Sequence, residues 1–236
     1  MSGPALRLLP SLICADMLHL AVSVEHTVRA GLGRLHLDVM DNHLVPGFGF
    51  SPEAVRAIKD AAPAVEVDIH LMASPARAAT QRFLDAGADR IIVHAEAGDA
   101  EQALDDVAGA GCAAAVALQP STVLADVECL LRRVDSVLVF TVRPGRRGQS
   151  VQAGAMERVE TVRRLIGSRE LQVDGGVYAE SIGRLAAAGA DAFVVGSALY
   201  GADGLASADT IAAHATALVG AAAGGVTCRR TRTELP

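Results

Sequence analysis

Short β-like runs alternate with Ala-rich helical patterns from one end of the chain to the other, and no Pro/Ser-rich linker interrupts them. The runs fall at 6–10 (LRLLP), 34–39 (RLHLDV), 65–71 (VEVDIHL), 90–94 (RIIVH), 113–118 (AAAVAL), 135–140 (DSVLVF), 170–173 (ELQV) and 191–195 (DAFVV). Helical patterns cover 17–30, 52–61, 75–86, 99–109, 122–131, 153–166, 178–188 and 206–221, several opening on an N-cap or first-turn Pro such as Ser51-Pro52 and Ser74-Pro75. The turns Ala86-Gly87-Ala88-Asp89 and Ala188-Gly189-Ala190-Asp191 repeat one design, with Gly closing a helix and Asp leading into a strand. Eight such units in 236 residues come to roughly 30 residues each, the ordinary span of a β/α unit. The economical fold is α/β, a closed (β/α)8 TIM barrel spanning 1–222 as one catalytic domain, with a polar, breaker-rich and disordered tail over 223–236. An open doubly wound sheet is the runner-up, but no G-x-G-x-x-G follows the first strand to support it.

Composition narrows the partners. With 21 Lys and Arg against 27 Asp and Glu the net charge is −6, so no basic excess exists to neutralise a nucleic-acid backbone. Hydrophobic residues make up 51% and aromatic ones 3%, which leaves Ala, Val, Leu and Ile to fill the core in layers. No run approaches a membrane span, and Met1 to Pro10 has Arg7 inside its short apolar stretch, unlike a signal peptide. Cys14, Cys112, Cys129 and Cys228 form no C-x-x-C pair and read as reduced thiols. The expectation is a cytoplasmic protein.

Catalytic groups of a barrel sit at the C-terminal ends of its strands. There the sequence places His36 and Asp38 on the second run, His70 on the third and Asp174 just after the seventh. Residues i and i+2 of a strand share a face, so His36 and Asp38 project together toward the barrel axis. Two imidazoles and two carboxylates converging from three strands make a mixed N/O site suited to zinc, iron(II) or manganese. Two carboxylates at a metal can also remove a proton from one face of a carbon and return one to the other. Glycines follow the last three strands in Pro144-Gly145-Arg146-Arg147-Gly148-Gln149-Ser150, Asp174-Gly175-Gly176 and Gly196-Ser197, the last opening a short helical turn. Exposed N–H groups on such loops form a phosphate cradle.

The segments Pro10-Ser11-Leu12-Ile13-Cys14-Ala15-Asp16, LHLDVMDNHLVPGFGF (35–50), VDIHLM (67–72), VHAEA (93–97), FTVRPGRRGQS (140–150), VDGGV (173–177) and VVGSALYG (194–201) resemble ribulose-phosphate 3-epimerases, in order from about Leu8 to Gly201. The resemblance implies a barrel of the ribulose-phosphate-binding type with one divalent metal at His36, Asp38, His70 and Asp174. Zn2+ comes first, with Fe2+, Mn2+ and Co2+ as alternatives. It implies that Asp38 and Asp174 are the acid/base pair at C3 of a small phosphorylated ketose, acting through a cis-enediolate whose O2 and O3 contact the metal. Ser11 and His70 would contact the sugar, and Gly145 to Gly148, Gly175, Gly176, Gly196 and Ser197 would surround the phosphate. A homo-oligomer is expected, and His94 matches a family position that is not a ligand.

The chain departs from the family pattern at three places. Asn42 stands in M-D-N-H-L-V-P where the family commonly has Gly, and Asn is the residue that best tolerates the left-handed turn there. Met40 and Met72 represent the family's Met cluster, but its third position is Phe140. In the strand-six loop Arg146 and Arg147 replace Phe and Gly, where they either strengthen phosphate binding, reshape the pocket for a longer ketose, or point into solvent. The leading expectation is C3 epimerisation of D-ribulose 5-phosphate to D-xylulose 5-phosphate. One alternative is the same chemistry on a hexulose or heptulose phosphate such as D-allulose 6-phosphate, and another is a non-catalytic sugar-phosphate-binding barrel.

Overall fold

The computed structural model describes residues 6–143 and 148–233, with side chains through 226. Strands β1 (Arg7–Pro10), β2 (Arg34–Met40), β3 (Glu66–Met72), β4 (Arg90–His94), β5 (Ala113–Leu118), β6 (Ser136–Phe140), β7 (Glu170–Asp174) and β8 (Ala192–Val195) each begin and end within one residue of the predicted run. They pair in the order β1-β8-β7-β6-β5-β4-β3-β2, parallel throughout. A parallel bridge from Ser11 to His36 joins the two ends, so the barrel closes between β1 and β2.

Helices α1 (Leu20–Arg29), α2 (Pro52–Ala61), α3 (Ala76–Leu84), α4 (Ala100–Gly109), α5 (Glu128–Leu131), α6 (Ala155–Ile166), α7 (Ala179–Ala188), α8 (Ser197–Tyr200) and α9 (Ala208–Thr233) cover the strands. Their apolar faces pack on the outward residues Leu35, Leu37, Ile69, Leu71, Ile91 and Val93. Ser51 caps α2 by accepting from the Ala54 N–H. Ser74 does not cap α3: that helix is capped from the next unit, where the Asp99 carboxylate accepts from the N–H groups of Ala76 (2.8 Å) and Arg77 (3.0 Å). The repeated Gly-Ala-Asp turns behave as expected, Gly87 and Gly189 taking φ of +89° and +118°. Their Asp residues do more than lead into a strand. Asp89 accepts from Val67 N–H (2.8 Å) and Asp191 from Leu171 N–H (2.9 Å), and Asp135 does the same for Ala114 (2.8 Å), so each ties the start of a neighbouring strand.

Two expected helices begin or lie in tighter turns, with 3₁₀ segments at Met17–His19 and Leu124–Val127. The end of the chain needs a larger correction. The tail expected after 222 is helical, because α9 continues to Thr233 instead of stopping near 221. Gly224 and Gly225 read as helix breakers, yet a Cβ on Gly225 would lie 1.8 Å from the Gly183 carbonyl oxygen. Gly225 and the facing Gly183 let α9 and α7 approach backbone to backbone, a use of the missing side chain other than ending a helix.

Inside the barrel, apolar side chains fill only the middle: Leu9, Ile92, Ala115, Ala117, Leu138, Ala192 and Val194. Below them, at the N-terminal ends of the strands, lies a buried charge network. Arg34 donates to Asp68 (Nη2 to Oδ2, 2.6 Å) and holds Glu170 through both terminal nitrogens (2.9 Å each). Arg7 and Arg90 reach the same Glu170 at 3.2 and 3.5 Å. Burial alone would raise the Glu170 carboxyl, but hydrogen bonds from Arg34 outweigh it and hold the group below its ordinary range. Among the described residues Arg34 is the cation that Asp68 contacts, and removing it leaves a buried carboxylate without compensation. Arg34→Met is therefore expected to cost about 3–5 kcal/mol of unfolding free energy; urea denaturation measures it, and a loss below about 1 kcal/mol would show that the network does not brace the barrel floor.

Candidate functional site

At the opposite end of the same interior, the C-terminal ends of β2, β3 and β7 bring His36, Asp38, His70 and Asp174 together. The β2–β3 register sets Asp38 beside His70. One donor atom from each residue lies within 4.8 Å of the others. His36 Nε2 is 3.2 Å from His70 Nδ1, and His70 Nδ1 is 3.3 Å from Asp38 Oδ1 and 3.5 Å from Asp174 Oδ2. Both imidazoles are fully buried. Two ring nitrogens this close, with two carboxylates turned on the same point, fit a divalent cation in chemistry and in number.

Electrostatics in this cluster follow from burial and mutual contact. Desolvation opposes ionisation of Asp38, but hydrogen bonds and charge from His36 and His70 overcome it and hold the carboxyl far below its usual range. For His70, burial disfavours the charged ring, and the contacts with Asp174 and Asp38 more than reverse this, raising it to about 9 when no cation is present. The Ser11 hydroxyl donates to Asp38 Oδ2 at 2.8 Å, next to the bridge that closes the barrel. Thr141 holds the end of β7, its N–H donating to the Asp174 carbonyl at 2.8 Å and its hydroxyl at 3.0 Å.

Above the cluster opens a cavity of about 340 Å³, within the range of small-molecule sites. Ser11, Asp38, Met40, Met72, Phe140, Gly148, Asp174, Gly175, Gly176, Gly196 and Ser197 all line it. Met40, Met72 and Phe140 pack together with Val45 into an apolar wall, and the Phe140 ring sits 5.2 Å from that of His70. His36 and His70 lie beneath the floor. Gly145, Arg146 and Arg147 fall outside the described residues. Asn42 takes the left-handed turn expected of it, at φ +61°, with Oδ1 accepting from Gly47 N–H at 3.0 Å.

Sequence reasoning missed two features here. Tyr178 lines the cavity and places its hydroxyl 3.1 Å from Ser197 Oγ. His94, set aside as a residue that is not a ligand, is fully buried and stacked on His70, with Nε2 3.0 Å from His70 Nε2 and Nδ1 2.9 Å from Glu96. The signal was available, since Ile92 and His94 share a face of β4 and that face points inward.

The glycine at 175 is required by its surroundings. Its φ is +97°, and a Cβ there would come 2.2 Å from Val142 Cγ2. We expect Gly175→Ala to lower stability by about 1–3 kcal/mol, with partial recovery in the Gly175→Ala/Val142→Ala double variant; equal urea midpoints for Gly175→Ala and the parent would contradict the close fit.

The sequence profile of the Ribulose-phosphate 3 epimerase family matches residues 7–200. Ribulose-phosphate 3-epimerase of Serratia marcescens is 35% identical over 197 residues, covering 81% of this chain and 94% of the relative. Ribulose-phosphate 3-epimerase 1 of Cupriavidus necator is 37% identical over 210 residues, covering 85% and 87%. Among solved structures, 3-hexulose-6-phosphate synthase from Salmonella typhimurium superposes with a TM-score of 0.67 at 20% identity, over 88% of this chain and 97% of that one, a likeness of fold. In the described residues no helix is long and apolar enough to cross a membrane. By the extent of the profile match and by these identities, the chain belongs to the ribulose-phosphate 3-epimerase family and is an isomerase of that kind.

Proposed function

We propose that this chain inverts C3 of D-ribulose 5-phosphate to give D-xylulose 5-phosphate, with Asp38 and Asp174 exchanging the proton. One observation carries the reading: carboxylates from two separate strands meet at one cation-fitting cluster on the floor of an open cavity. Pure binding of a sugar phosphate needs no such pair. Zn2+ suits the donor set best, with Fe2+, Mn2+ and Co2+ as alternatives, held by His36, Asp38, His70 and Asp174. A cation in that position supplies positive charge for the oxyanion that develops when the C3 proton leaves.

The chain's own residues do the rest. His36 and His70 favour the ionised form of Asp38, the form a general base needs. Asp174 comes from a separate strand to the same His70 Nδ1 that Asp38 contacts, and in this reading a proton removed by one carboxylate is replaced by the other, with inversion as the result. Ser11 steadies Asp38 by its hydrogen bond and presents its hydroxyl to the sugar. Met40, Met72 and Phe140 keep water from the reacting carbon, which protects an electron-rich intermediate from stray protons. Gly148, Gly175, Gly176, Gly196 and Ser197 receive the phosphate through backbone N–H groups and the Ser197 hydroxyl. Gly145 belongs with these phosphate-binding glycines by sequence, and Arg146 and Arg147 beside it either add to phosphate binding, reshape the pocket for a longer ketose or point into solvent.

Phe140 favours one second reading, because a rigid ring in the apolar wall can reset the length of sugar that fits. Asp38→Asn and Asp174→Asn are each expected to lower kcat by about 10²–10⁴-fold, measured beside metal content. A variant that keeps both its metal and near-parental turnover would remove its carboxylate from the assigned role. On a panel of five-, six- and seven-carbon ketose phosphates, kcat/KM is expected to be highest for the pentulose; a clear preference for a longer sugar would transfer the assignment to the same chemistry on that substrate.

A further inference from the structure

We propose that Glu96 and His94 form a positioning relay that fixes the tautomer and orientation of His70. The proposal deepens the reading above and rests on His70 acting as a ligand through Nδ1. If Nδ1 offers its lone pair to a cation, the ring proton must sit on Nε2. Nε2 lies 3.0 Å from His94 Nε2, so His94 has to present a lone pair there and carry its own proton on Nδ1. That nitrogen is 2.9 Å from Glu96 Oε2, a carboxylate that only accepts. A single assignment of protons satisfies the whole chain of contacts.

The far end of the relay is anchored. Glu96 Oε1 accepts from the Gln119 N–H at 3.1 Å and from the Thr122 hydroxyl, both just past β5. Arg158 of α6 in turn donates to the Thr122 carbonyl at 2.9 Å. His94 itself cannot swing, being fully buried, stacked on His70 at 10° between ring planes and flanked by Phe140. His36 differs: among the described residues its Nδ1 has no hydrogen-bond partner. Of the two imidazoles, His70 is therefore the one whose aim is set through a carboxylate, an arrangement that raises the basicity of a ligating histidine. Neither His94 nor Glu96 lines the cavity, so both act through His70 and not on the sugar.

Zn2+ affinity, measured by competition with a chromophoric chelator, tests this without recourse to turnover. Glu96→Ala is expected to weaken Zn2+ binding by about 10–100-fold. Glu96→Gln should weaken it less, because an amide oxygen still accepts from His94. In the Zn2+-loaded parent, two-bond ¹H–¹⁵N spectra should place the proton of His70 on Nε2 and that of His94 on Nδ1. A proton on His94 Nε2 would overturn the relay. So would parental Zn2+ affinity in Glu96→Ala with only a lower melting temperature of the metal-free protein, the mark of a packing role. His36→Ala separates the two levels. If the parent binds no Zn2+, or His36→Ala binds it equally well, the ligand assignment fails and the relay with it; if His36→Ala loses binding while Glu96→Ala does not, the relay alone fails.

Discussion

In a closed eight-stranded parallel barrel every second side chain points inward, and a polar side chain placed there must find its partner on a neighbouring strand or go unsatisfied. The interior of this barrel meets that demand at both ends. Below the aliphatic middle, Arg34 binds Asp68 and Glu170 across three strands. Above it, His36, Asp38, His70 and Asp174 contact one another, and His94 extends the polar chain to Glu96. The β2–β3 register joins the two ends: it aligns Arg34 with Glu66, His36 with Asp68, Asp38 with His70 and Met40 with Met72. A slip of one residue would turn all of these to the wrong face. The salt-bridged floor and the candidate metal site are consequences of one register.

The closure seam has a part in this. Between β1 and β2 the barrel is joined at Ser11 and His36, and the hydroxyl of the same Ser11 reaches Asp38. The join therefore lies inside the site, where it braces the strand that carries two of the four clustered residues. Around the rim, loops are held by short polar anchors: Asp99 capping α3, Asn42 closing its turn onto Gly47, and Thr141 pinning the end of β7. Each is a local hydrogen bond, and together they leave the cavity mouth shaped by backbone where Gly175, Gly176 and Gly196 permit close approach.

Much of this was legible beforehand, for identifiable reasons. Strand positions followed from apolar runs bounded by Gly and Asp, and the inward pair His36 and Asp38 from the two-residue period of a strand. The same period, carried back to the strand starts, would have marked Arg34, Asp68, Arg90 and Glu170 as an interior layer, because they share faces with His36, His70, Ile92 and Gln172. The relay through His94 was hidden for another reason. His94 faces inward by the same rule, but its meaning depends on Glu96, which lies past the strand, where the period no longer applies. The course of α9 beyond 221 was unreadable for a third reason: Gly224 and Gly225 look like a helix end in one dimension, and only the facing Gly183 shows that Gly225 serves close packing.

We propose that two carboxylates at this site exchange the C3 proton of a ketose phosphate. Incubating the metal-supplied protein with D-ribulose 5-phosphate in D2O and following C3 by NMR tests it directly. Deuterium is expected at C3 of the product xylulose phosphate, with label also returning to C3 of remaining substrate. Conversion without solvent label at C3 in either sugar, or no exchange at all with the cation bound, would contradict it.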